Sequence, residues 1–142
     1  MSRAIGTRVV TRAFDPRAVR GRHTAFKTHG AALHPDLAVP DDVVMVTKGT
    51  RFDKDQCSAF DETGLDQRLH RDGVQSLIVA GLALDVCVRE TALDARRLGF
   101  GVTVIAGACR AVDQNRAQRV LEELEGAGVV IDRTDFVRSE TL

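Results

Sequence analysis

From residue 43 onward, short β-branched runs alternate with helix-length segments. The runs are Val43-Val44-Met45-Val46-Thr47, Ser76-Leu77-Ile78-Val79-Ala80, Val102-Thr103-Val104-Ile105-Ala106 and Val129-Val130-Ile131. Near-continuous apolar runs of this length fit strands buried on both faces, as in parallel sheets. Between them lie a helical stretch from Leu65 to Arg71 that stops at Gly73, a second from Asp85 to about Leu98 with Gly99 just beyond, and a third from Gln114 to Glu125 with Val120, Leu121 and Leu124 on one side. Strands separated by helices of about 10–14 residues require βαβ crossovers. The expected fold is therefore α/β, a mostly parallel sheet with helices on both faces. The first 42 residues are less regular: Arg8-Val9-Val10-Thr11 reads as a strand and a polar stretch follows.

A chain of 142 residues has room for one domain with a real core, so residues 1–142 are read as a single domain. Twenty basic residues balance twenty acidic ones, which gives no reason to expect a nucleic-acid-binding face. The longest apolar run is far short of the roughly 18 residues of a membrane span. No apolar segment of the kind found in a secretion signal follows Met1, so the expected location is cytoplasmic and no membrane partner is expected. Three cysteines without a CxxC pair argue against a disulfide framework or a cysteine-based zinc site. There is no GxGxxG turn, as a nucleotide-binding Rossmann domain would require.

In open parallel sheets ligands bind at the carboxyl ends of the strands, so the residues after each strand are the ones to inspect. They are Lys48-Gly49, then Gly81-Leu82-Ala83-Leu84-Asp85-Val86-Cys87, then Gly107-Ala108-Cys109-Arg110. With Asp85 as N-cap, Cys87 is the second helical residue, where unpaired N–H groups and the helix dipole favour thiolate. The loop before it can aim backbone N–H groups at an oxyanion, which acyl transfer through a thioester needs. Lys48 stands out because the chain has only three lysines against 17 arginines. Cys109 has no comparable loop and reads as a structural residue; Cys57 lies in a polar loop and is left undecided.

Taken in order, Lys48-Gly49, Asp53-Lys54-Asp55-Gln56-Cys57-Ser58-Ala59-Phe60, Gly64-Leu65, Val79 to Val88, Thr91 to Ala95 and Ala108 to Val112 resemble the nicotinamidase (pyrazinamidase-type) branch of the isochorismatase-like cysteine hydrolases. The likeness runs from about Gly30 to Gly128. It implies a Rossmann-like α/β fold and conversion of nicotinamide, or another small carboxamide, to the acid and ammonia, as in pyridine nucleotide salvage and NAD metabolism. Cys87 matches the nucleophile and Lys48 the lysine that supports it. The N–H groups of Ala83 and Cys87 match the oxyanion hole, Leu82–Ala83 a non-proline cis peptide, and Cys57 and Phe60 the substrate pocket.

The resemblance also has gaps. The family's catalytic Asp lies on a strand ahead of anything in this sequence, so the chain is expected to be N-terminally truncated. Members bind a divalent metal (zinc, iron or manganese) through an Asp-x-His-Pro stretch and further histidines. Ala13-Phe14-Asp15-Pro16 stands there instead, leaving Asp15, His23 and His29 as remnants of a metal site. Cys57 replaces an aromatic residue of the pocket, and Leu84 a threonine. Two expectations follow from different classes: a cysteine amidohydrolase, or a decayed paralogue without activity that forms homo-oligomers or pairs with an intact relative.

Overall fold

The computed structural model describes residues 9–13, 35–36, 38–39, 41, 43–48 and 56–134, the first of these segments as backbone only. It separates into two compact units that meet in sequence between Val74 and Gln75. Among the described residues no helix is long and apolar enough to cross a membrane.

In the first unit β1 (Val9–Ala13) and β2 (Val44–Lys48) form a parallel pair in unbroken register, from Val9 opposite Val44 to Ala13 opposite Lys48. Along β2 burial follows the two-residue period of a strand: Val46 and Lys48 are buried, while Met45 is exposed. Lys48 is thus the last residue of the strand and not the first of a loop. Helix α1 (Leu65–Arg71) has Asp66 in its first turn and Arg68, His70 and Arg71 in its last, charges that oppose the two ends of its dipole. Its buried residues, Leu65 and Leu69, are four apart and share one face.

The second unit is a three-stranded sheet, β3 (Ser76–Leu82), β4 (Gly101–Arg110) and β5 (Val130–Asp132), all parallel and in that spatial order. Helix α2 (Arg89–Arg97) carries the chain from β3 to β4 and packs on β4. Helix α3 (Ala117–Gly126) carries it from β4 to β5 and packs on β5. The two helices also touch each other. They therefore cover the same face, as two right-handed crossovers running in one direction across a sheet must. The core between helices and sheet holds Ala92, Ala95, Phe100, Val102, Val104, Val120, Leu121, Leu124 and Val129. Ala92 and Ala95 are fully buried, and their small size lets α2 lie close to its neighbours.

Two glycines end the first two helices as the sequence suggests. Gly73 and Gly99 adopt φ of 71° and 93°, a left-handed conformation that costs a residue with a Cβ about 1–2 kcal/mol. Several boundaries differ from expectation. The third helix opens with a single 3₁₀ turn at Gln114–Arg116, where the Asn115 N–H is capped by the Asp113 carboxylate at 3.0 Å. Strand β4 runs on to Arg110, past the expected end at Ala106, because β3 offers it new partners after an irregularity. Val79 pairs with Val104, then Gly81 with Cys109 and Leu82 with Arg110. The segment read as a loop thus belongs largely to the sheet.

Candidate active site

Cys87 is held at the carboxyl end of β3. The strand stops at Leu82, the Leu82–Ala83 peptide is cis, and the chain then enters a tight π-type turn, Leu84–Val88, that leads directly into α2. The Ala83 carbonyl accepts from the N–H of Val86 (3.2 Å) and of Val88 (3.0 Å), which closes the turn around the cysteine. Cys87 is the fourth residue of this turn and half-buried. Short π segments are rare in helices and cluster at functional sites.

Asp85 does not do what its position suggested. The residue before the turn is Ala83, the one before α2 is Val88, and neither start has a side-chain cap. The Asp85 carboxylate instead reaches across to the corner after β4, accepting from Val112 N–H at 2.8 Å and Asp113 N–H at 3.1 Å. The side chain is buried. Burial alone would raise its pKa, but these two donors, its own backbone N–H and the nearby Arg116 outweigh that and hold the carboxyl below the ordinary range. Cys87 is therefore the second residue after a cross-linking aspartate and the fourth of a turn, not the second of a capped helix.

The other cysteines sit differently. Cys109 is buried on β4 beside Gly81, and burial pushes its thiol pKa up against the opposing effects of Gly81 N–H and Arg110. That is the environment of a small core residue. In the first unit the buried Lys48 ammonium donates to the Cys57 carbonyl. Cys57 and Phe60 are half-buried and belong to a segment tied to itself: Ser58 N–H donates to the Asp61 carboxylate at 3.1 Å, Phe60 N–H to Ser58 Oγ at 3.1 Å, and the Gln56 amide to the Asp61 carbonyl at 3.2 Å. Among the described residues no group of three or more His, Cys, Asp or Glu is placed to hold a metal ion. Asp15, His23 and His29 lie outside the described residues.

The model of the isochorismatase domain matches residues 3–135 of the chain. The chain belongs to the isochorismatase family. Its relatives place it on the nicotinamidase branch. It is 34% identical to the nicotinamidase of Acinetobacter baylyi over 123 residues, which are 82% of this chain and 58% of that protein. It is 36% identical to the Escherichia coli nicotinamidase over 118 residues, 77% of this chain and 55% of that one. The chain therefore spans little more than half the length of these curated relatives. Among solved structures, the pyrazinamidase of Pyrococcus horikoshii in complex with zinc superimposes with a TM-score of 0.80 at 34% identity, covering 90% of this chain and 74% of that one.

Within this isochorismatase-family frame, Cys87, Ala83 and the cis Leu82–Ala83 peptide all belong to the second unit, while Lys48, Cys57 and Phe60 belong to the first. Inside the second unit the Ala83 carbonyl closes the Cys87 turn, and inside the first Lys48 donates to the Cys57 carbonyl. What sequence reasoning missed is the Asp85 bridge. An Asp beside a strand end reads as a cap because capping is local and common. The partners here are 27 and 28 residues away, and no local pattern marks them.

Proposed function

We propose that this chain is a nicotinamidase-like amidohydrolase in which Cys87 is the nucleophile. The observation that carries the reading is a half-buried thiol on a closed turn at the carboxyl end of a parallel strand, in a chain more than a third identical to proteins named nicotinamidase. Cys87 sulfur attacks the carboxamide carbon of nicotinamide or a similar small amide, and the N–H groups of Ala83 and Cys87 take the developing oxyanion. The C–N bond then breaks. The thiol proton leaves, in net terms, with the amine as ammonia, and an acyl thioester remains on Cys87. Water hydrolyses that thioester to the acid and restores the thiol. The resemblance assigns Lys48 the support of the developing charge, and Cys57 and Phe60 contact with the substrate. Because the metal candidates Asp15, His23 and His29 are outside the described residues, no step is assigned to a metal.

A second reading, a relative that keeps the nucleophile turn but has lost the chemistry, is favoured by Ala13 and Asp15, which stand where the resemblance calls for Asp and His. The two readings separate in one assay. Purified protein is incubated with nicotinamide, with and without added zinc or manganese, and released ammonia is measured beside Cys87→Ala. Release that disappears in Cys87→Ala supports the amidohydrolase. A folded protein that releases none under any of these conditions establishes the second reading.

A further inference from the structure

The mechanism leaves unused the buried Asp85 carboxylate of the second unit. It lies two residues before Cys87, in the same five-residue turn. That turn has no side-chain cap; the Ala83 carbonyl accepts from two of its N–H groups, and the Arg89 N–H that follows bonds back to the Leu84 carbonyl. Each Asp85 oxygen accepts a different backbone donor from the β4–α3 corner, one from Val112 and one from Asp113. Charge-assisted bonds of this kind are shorter and stronger than neutral ones, and two oxygens on two donors fix orientation as well as distance. The corner is itself anchored. Asp113 caps the 3₁₀ turn through Asn115 N–H, Arg116 N–H donates to the Asp113 carbonyl at 3.0 Å, and the Gln114 amide donates to the Ala111 carbonyl at 2.8 Å. A rigid corner thus holds the carboxylate, and the carboxylate holds the turn.

We infer that Asp85 is the positioning residue of the nucleophile, clamping the Cys87 turn to the corner at Ala111–Asp113 so that the sulfur and the N–H groups of Ala83 and Cys87 keep one geometry. A cap satisfies a helix end locally; this carboxylate joins two strand-end loops that are separate in sequence. The inference rests on Cys87 being the nucleophile, but its test does not need turnover.

Amide hydrogen exchange is followed by NMR in the full chain and in Asp85→Asn, which keeps the shape of the side chain but turns one acceptor into a donor facing a donor. Val112 and Asp113 lose their partner directly. Faster exchange, by roughly tenfold or more, is expected at Val86 and Val88 as well, with the core amides of Val104 and Leu124 unchanged. Faster exchange at Val112 and Asp113 alone would show that the turn does not depend on the clamp and would overturn the inference. So would a uniform rise at all amides, the mark of a merely stabilising contact. Should the Asn variant fail to fold, the same amides are read in Asp85→Glu, whose carboxylate is retained but displaced by one methylene; the same pattern is expected and the same two patterns refute. If the wild-type chain releases ammonia, Asp85→Asn is further expected to lower kcat by more than it changes KM. If it releases none, the proposed activity fails, while the exchange data still decide whether Asp85 holds the turn.

Discussion

Cys87 and Cys109 differ in ways a single reagent can read. Cys87 is half-buried on a turn, whereas Cys109 is 3% exposed and burial raises its thiol pKa. Alkylation requires thiolate and access together. Iodoacetamide at neutral pH is expected to label Cys87 in the native protein and Cys109 only after denaturant is added; peptide mass mapping distinguishes them, and early labelling of Cys109 would contradict the burial. Leu124 gives the corresponding test of packing. It is fully buried on α3 among Val120, Leu121 and Val129, so Leu124→Ala removes buried methyl groups and leaves a cavity. The expected cost is about 2–5 kcal/mol, seen as a lower denaturation midpoint. The roles of these residues were legible to different degrees. Leu124 follows from helical spacing and Cys109 from its lack of a loop. The use Asp85 makes of its carboxylate was not legible, because it depends on backbone donors that only the folded chain brings near.

At the scale of elements, the alternation of β-branched runs and amphipathic stretches was enough to place the strands and α-helices of the described residues, because burial against a parallel sheet imposes both periods at once. The ends were less readable. β4 continues through Gly107-Ala108, residues typical of loops, because pairing with Gly81 and Leu82 overrides their weak strand preference. The π turn before α2 left no trace in composition. One link between elements gives a pH prediction. The Arg89 guanidinium at the start of α2 binds both carboxylate oxygens of Glu123 on α3, with Nε to Oε2 at 2.8 Å, and contacts Glu90 as well. The hydrogen bond from Arg89 lowers the Glu123 pKa against a smaller opposing effect of burial. A carboxylate whose folded pKa is depressed contributes stability above its unfolded pKa and loses it as pH falls through the folded value. Glu123 is 43% exposed, so solvent screening keeps the contribution to about 1 kcal/mol or less. Glu123→Gln is expected to lower the melting temperature slightly at pH 7, and the difference from wild type should vanish on acidification below the ordinary carboxylate range. A difference that persists there would mean packing, not charge, holds the pair.

At the scale of the whole molecule, the two sides of the second unit's sheet are unequal. Helices α2 and α3 bury Val102 and Val104, while the row formed by Ile78, Thr103 and Val130 lies on the opposite face. There Ile78 is 75% exposed and Val130 61%. Among the described residues β3 pairs with β4 alone, so its other edge carries no ladder. Natural edge strands are usually short, charged or interrupted by proline. The opposite edge fits that pattern, since β5 has three residues and ends at Asp132 followed by Arg133. β3 does not: its seven residues, Ser76-Leu77-Ile78-Val79-Ala80-Gly81-Leu82, contain neither charge nor proline, and Leu82 is 77% exposed. Such an edge favours self-association. Ile78→Lys places a charge at its centre while giving up little buried surface. Its effect on stability is expected to stay within about 0.5 kcal/mol, the range of exposed substitutions. Light scattering at rising protein concentration should show a higher onset of association than in wild type. If Ile78→Lys instead destabilises the chain as Leu124→Ala does, this face is covered in solution.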